Sequence, residues 1–140
     1  MKRILTLLAC VALFSACHGN DPEPTVPQLD VTGIWELSSV STKASVGSVT
    51  VSVYIDFAAD NSFTLYQKIG EGRYTKYTGS YSLDKDAAQL SGSYAGGSAW
   101  GPYSASREGN TLTLASAGGK EVDSYKKIEA IPSSVTENLY

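Results

Sequence analysis

The sequence predicts an all-β fold, an eight-stranded antiparallel up-and-down barrel, and three observations carry the prediction. From Asp30 onward, apolar and polar side chains alternate with the period of a strand. Short segments rich in Gly, Asn, Asp and Ser interrupt that alternation at regular intervals. The connections are all too short for the crossover of about a dozen residues that a parallel pair requires, so neighbours must run antiparallel. Closing such a meander on itself removes two exposed edges. A two-sheet β-sandwich is the alternative that short strands and regular turns also permit.

Strand one is predicted over Val31 to Val40 and opens with Gly33-Ile34-Trp35. After a turn over Lys43 to Gly47 comes Ser48 to Phe57, with Val49, Val51, Val53, Ile55 and Phe57 on one face and Thr50, Ser52, Tyr54 and Asp56 on the other. Ala59-Asp60-Asn61-Ser62 turns the chain into Phe63 to Ile69, where Phe63 and Leu65 continue the pattern, and Gly70-Glu71-Gly72 turns it into Arg73 to Leu83. Asp84-Lys85-Asp86 leads to Ala88 to Ala95, and Gly96-Gly97-Ser98 to Ala99 to Arg107. Glu108-Gly109-Asn110 precedes Thr111 to Ala115, with Leu112 and Leu114 on one face, and Ala117-Gly118-Gly119-Lys120 precedes the last strand, Glu121 to Ile128. No segment carries a convincing helical period. A local repeat, Thr78-Gly79-Ser80-Tyr81 and Ser91-Gly92-Ser93-Tyr94, falls near facing positions of one hairpin. Glycine inside a strand marks a bend, a bulge or a bulky neighbour, and two such glycines leave either a barrel corner or room for a ligand.

Residues 1–16 read as a signal peptide: Lys2 and Arg3 form a positive start, Ile4 to Phe14 carry no charge, and Ser15-Ala16 supply the small residues of a cleavage site. The apolar stretch is shorter than the roughly 20 residues of a membrane-spanning helix. His18 to Leu29 hold three of the five prolines and little to bury, the composition of a tether. The expected organisation is therefore a signal peptide over 1–16, Cys17 and a tether to residue 29, a barrel over 30–132, and a C-terminal tail over 133–140.

Composition excludes several functions. With Lys+Arg 11 against Asp+Glu 14, the 140 residues give a net charge of -3 and no electrostatic grip on nucleic acid. The one His is His18 in the tether, so no histidine base for a Ser or Cys nucleophile exists in the barrel. His and Cys, the usual zinc and copper ligands, are absent beyond Asp30, and neither metal nor cofactor is expected. Asp56, Asp60, Asp84, Asp86, Glu108, Glu121 and Asp123 are the carboxylates available for acid–base work, and most fall in turns where local hydrogen bonding accounts for them. No enzyme is expected. The aromatic set remains: Tyr54, Tyr66, Tyr74, Tyr77, Tyr81, Tyr94, Trp100, Tyr103 and Tyr125. Rings in strands pack across strands or bind. Within Gly96 to Tyr103, Trp100 and Tyr103 flank a Gly- and Pro-containing strand entrance, and with Tyr94 they are the candidate ligand-binding residues.

Gly33-Ile34-Trp35, Tyr54-Ile55-Asp56-Phe57 before Asp60-Asn61-Ser62-Phe63, Gly79-Ser80-Tyr81, Leu90 to Tyr94, Asn110 to Leu114 and Tyr125-Lys126-Lys127-Ile128 follow one another in an order that resembles the lipocalin-like lipoproteins of the Bacteroides group, over Asp30 to about Pro132. Phe14-Ser15-Ala16-Cys17 likewise resembles a bacterial lipobox, with Phe14 in place of the usual Leu. The resemblance implies a lipidated Cys17 anchoring the chain to the outer membrane, on its periplasmic or its surface side. It implies that Gly33 and Trp35 close one end of the barrel, with Trp35 under a basic side chain that Lys126, Lys127 or Arg107 would supply. It implies binding of a small hydrophobic or amphiphilic ligand. The alternatives are a protein-binding module, such as an enzyme inhibitor or an accessory subunit, and a carbohydrate-binding lipoprotein. An open lumen of roughly 300 Å³ or more would favour the ligand, and a filled one the outer face or loops.

Overall fold

A computed structural model of the protein describes residues 28–40 and 49–140. The signal segment, Cys17, most of the tether and the Lys43 to Gly47 turn lie outside these residues. The strands are β1 (Gly33–Val40), β2 (Val51–Phe57), β3 (Ser62–Ile69), β4 (Thr75–Asp84), β5 (Gln89–Tyr94), β6 (Ala99–Glu108), β7 (Thr111–Ala115) and β8 (Val122–Ile128), followed by a helix α1 (Ser133–Thr136). Each strand pairs antiparallel with the next, and β8 pairs with β1 to close the barrel. The sandwich alternative is thereby ruled out.

Alternation explains which residues fill the interior. Trp35, Val53, Ile55, Phe57, Phe63, Tyr81, Leu90, Ala105, Leu112, Leu114 and Tyr125 form one buried cluster with Val31. On β2 the expected apolar face is buried only over Val53, Ile55 and Phe57; Val49 is 57% exposed and Val51 39%. Val51 pairs with Ile69, itself 62% exposed, because the β2–β3 ribbon runs on past the packed interior.

The two ends of the barrel differ. One carries the β2–β3, β4–β5 and β6–β7 turns together with Gly33, and the other carries the β3–β4, β5–β6 and β7–β8 turns. The stretch before β1 crosses the first end, where Lys85 Nζ donates to Gln28 Oε1 at 3.2 Å, Arg107 Nη1 to the Asp30 carbonyl at 2.9 Å and Lys127 Nζ to the Thr32 carbonyl at 3.4 Å.

The expectation that no helix is present needs correcting for α1. Four residues are too few to display a helical period, which is why the pattern passes unseen in the sequence. Val135 is 1% exposed, and Tyr74 is also buried, yet neither belongs to the interior cluster. The residues after α1 pair with the chain before β4: Tyr74 N–H donates to the Asn138 carbonyl at 2.8 Å, and Tyr140 N–H to the Tyr74 carbonyl at 3.1 Å. The Tyr74 ring meets the edge of Tyr54 at 6.1 Å on the outer wall and lies 5.0 Å from Lys68 Nζ. Tyr54 donates to Glu36 Oε1 at 3.0 Å, and burial with that neighbouring carboxylate pushes its phenol up to about 12.

The lumen cavity and the closed end

Trp35 is completely buried at the first end, and its indole N–H donates to the Val31 carbonyl at 2.7 Å. Of the basic side chains considered for its cover, two serve: Arg107 Cζ lies 5.5 Å and Lys127 Nζ 5.6 Å from its ring centroid. Lys126 is not among them. Gly33 makes the second contact possible, since a Cβ there would stand 2.8 Å from Lys127 Cε. Arg107 also pairs with Asp30 at 3.9 Å. Hydrogen bonds from Thr32, and then the nearby Arg107 and Lys127, hold the Asp30 carboxyl below its ordinary range. This end is a plug whose ring faces and indole donor are matched by the chain itself.

Toward the other end the interior is incomplete. A cavity of about 100 Å³ remains, lined by Ile55, Phe57, Phe63, Leu65 and Leu114 and by the more polar Tyr94, Trp100, Tyr103, Asp123 and Tyr125. The three aromatic residues expected from the sequence thus come together around one space. They do so through a bulge. On β5 one residue separates Leu90 from Gly92, while on β6 two residues separate their partners Tyr103 and Trp100. The extra residue in Gly101-Pro102 turns both rings inward, although three positions apart they would face opposite ways in a regular strand. Their centroids lie 6.3 Å apart. The rings line the lumen, not an exposed rim, and the carbohydrate reading loses its outward platform.

The paired glycines are explained first by close approach of the facing strand, where a Cβ at Gly79 would run into the Ser93 carbonyl and one at Gly92 into the Ser80 carbonyl, and then by bulky neighbours. Gly79 stands opposite Tyr94, and Gly92 opposite Tyr81. A Cβ at Gly79 would come 2.7 Å from Phe63 Cε1, and one at Gly92 would come 2.5 Å from Trp100 Cζ2. The room that the glycines make is therefore occupied by Phe63 and Trp100, which meet edge to face at 5.5 Å, and is not left open for a ligand. Trp100 Nε1 is buried without a hydrogen-bond acceptor. Such a donor costs about 1–3 kcal/mol, so packing and not polarity holds this ring in place.

Asp60 and Asp84 behave as turn residues: Asp60 Oδ1 accepts from Ser62 N–H at 2.9 Å, and Asp84 Oδ1 from Ala87 N–H at 2.9 Å. Asp123 does not. It stands on β8 two residues before the buried Tyr125, on the face that the alternation Asp123, Tyr125, Lys127 turns inward. Desolvation, then repulsion from Glu121, raises its carboxyl above the ordinary range, and among the described residues no cation offsets the two. Burial also pushes the Tyr103 and Tyr125 phenols up. Larger concavities lie on the surface, one of about 500 Å³ bordered by Gln28 to Asp30 and Arg107. In that one, Asp30 and Arg107 are already paired with each other.

Residues 31–114 match the family model described as the lipocalin-like domain. The chain belongs to this lipocalin-like family. The match runs from the residue that caps Trp35 to the cavity residue Leu114; Asp123 and Tyr125 of the cavity and Lys127 of the closed end lie beyond it. Among solved structures the lipocalin-like chain is similar to a DUF4847 family protein from Bacteroides vulgatus ATCC 8482, at 16% identity and a TM-score of 0.46, over 71% of this chain and 95% of that one. No curated protein matches it. A lipocalin-like barrel is typically a binding module and not an enzyme.

Proposed function

We propose that the protein is an outer-membrane lipoprotein, anchored through a lipidated Cys17, whose lipocalin-like barrel binds a small ligand in its lumen. The observation that supports binding is the cavity itself, where Tyr94, Trp100 and Tyr103 surround space that the chain does not fill. Its volume of about 100 Å³ is well under the roughly 300 Å³ at which drug-sized pockets begin, so the ligand is compact or presents a compact group. A whole lipid does not fit. The anchor rests on the lipobox-like Phe14 to Cys17 and the Pro-rich stretch that follows it.

Native mass spectrometry of the protein purified from its own host tests the binding reading. A retained small molecule that is absent from the Trp100→Ala/Tyr103→Ala variant supports it, and a bare polypeptide mass in both sinks it. Metabolic labelling with a fatty-acid analogue tests the anchor: wild type should be labelled and Cys17→Ser should not, and equal labelling of the two refutes the assignment. A second reading, a protein-binding module, draws on the exposed Val49, Val51 and Ile69 of the β2–β3 ribbon. Recovery of a stoichiometric protein partner lost in Val51→Ser/Ile69→Ser, with no small molecule retained, would favour it.

A further inference from the structure

The cavity's lining is chemically one-sided. Among the described residues it holds one carboxyl, Asp123, and no lysine or arginine. Glu121 adds to the negative field at the same point. Among the described residues Asp123 has no ion-pair partner. The aromatic rings add the electron-rich faces that attract cations. Elsewhere the chain supplies such cations itself: Arg107 and Lys127 on Trp35, Lys68 on Tyr74 and Lys76 on Tyr66. Among the described residues none lies over Tyr94, Trp100, Tyr103 or Tyr125. An anion would be repelled here, and a neutral hydrocarbon would bury the carboxylate further without compensating it.

Size narrows the choice. An apolar cavity of about 150 Å³ accepts benzene, so the smaller space here suits a group of about five heavy atoms. A trimethylammonium head has that size. Resting on the lumen-binding reading above, we propose that the cavity selects a compact organic ammonium ion, seated among Tyr94, Trp100, Tyr103 and Tyr125 with Asp123 as its counter-ion.

The test compares choline with its uncharged carbon isostere, 3,3-dimethylbutan-1-ol, by calorimetry on the purified protein. Choline should bind at least about tenfold more tightly, a margin within reach of a desolvated cation–aromatic contact. Asp123→Asn should remove that margin by weakening choline, without weakening the alcohol, which no longer buries an uncompensated carboxylate. A second readout needs no variant. The wild-type affinity for choline should fall as the pH drops through the titration of Asp123, while that for the alcohol does not fall. Among the described residues, the ionisable groups acting on Asp123 or facing the same space are Glu121, Tyr94, Tyr103 and Tyr125, and its strand partners Leu114 on β7 and Val40 on β1 bring none. Glu121→Gln should therefore shift the profile without abolishing it. Equal binding of both compounds, with a flat pH profile, overturns the cation inference and leaves lumen binding standing. Binding of neither overturns the inference as well, and a bare mass in the native experiment then removes the lumen reading with it.

Discussion

Trp35 and Trp100 both point into the barrel, but their surroundings differ. At the closed end Trp35 is fully buried, its N–H is bonded to Val31, and two cations cover its ring. In the other half Trp100 is half-buried, and among the described residues its N–H has no acceptor and the carboxyl across the cavity no cation. The difference separates structure from site. Where the chain satisfies its own polar atoms and aromatic faces, nothing is left for a ligand to do; where it leaves them unmatched beside open space, a ligand can supply what is missing.

The largest expected effect is on stability. Trp35→Ala should cost about 3–5 kcal/mol in denaturant titration, as large aromatic deletions from a core do, whereas Trp100→Ala should cost clearly less. Equal losses would erase the distinction between plug and site. Trimming each indole to phenyl sharpens it. Trp35→Phe leaves the Val31 carbonyl without its donor and should cost about 1–3 kcal/mol, while Trp100→Phe removes an unmatched donor and should be close to neutral by the same measurement.

A smaller effect concerns the cations. Arg107→Ala and Lys127→Ala should each lower thermal stability by about 0.5–1 kcal/mol through their contact with Trp35, with Arg107 the larger because it also holds Asp30. No loss in either would mean that the plug does not need its cover.

The smallest effect is a pair of opposite pH dependences. The Asp30 carboxyl is lowered in the folded state, so its contribution is present above the unfolded value and lost as pH falls through the folded one. The Asp123 carboxyl is raised, so its contribution is present below the unfolded value and lost as pH rises through the folded one. At about pH 7, Asp30→Asn should therefore destabilise the protein and Asp123→Asn stabilise it, and both differences should shrink toward about pH 3 in chemical denaturation. A stabilising effect of Asp123→Asn that persisted unchanged into acid would have a cause other than its charge.

Strand positions were legible because alternation and turn residues are local signals. β7 has the predicted bounds Thr111–Ala115, and the other strands shift only at their ends. Trp35 and its basic cover were legible through the resemblance carried by Gly33-Ile34-Trp35. The inward turn of Trp100 and Tyr103 was not, because a bulge is a property of two strands in register and a single strand's spacing does not reveal it. Asp123 was weighed only among the carboxylates available for acid–base work, although its alternation with Tyr125 on the last strand carried the signal that it faces inward. The C-terminal residues escaped because their burial depends on Tyr74, far away in sequence.

The stretch over Gln28 to Thr32 is held beneath the Trp35 plug by Lys85, Arg107 and Lys127. The described chain therefore begins at the pole opposite the cavity. If the anchor proposed at Cys17 holds, attachment and ligand entry would use opposite poles of the barrel, and neither would need to make room for the other.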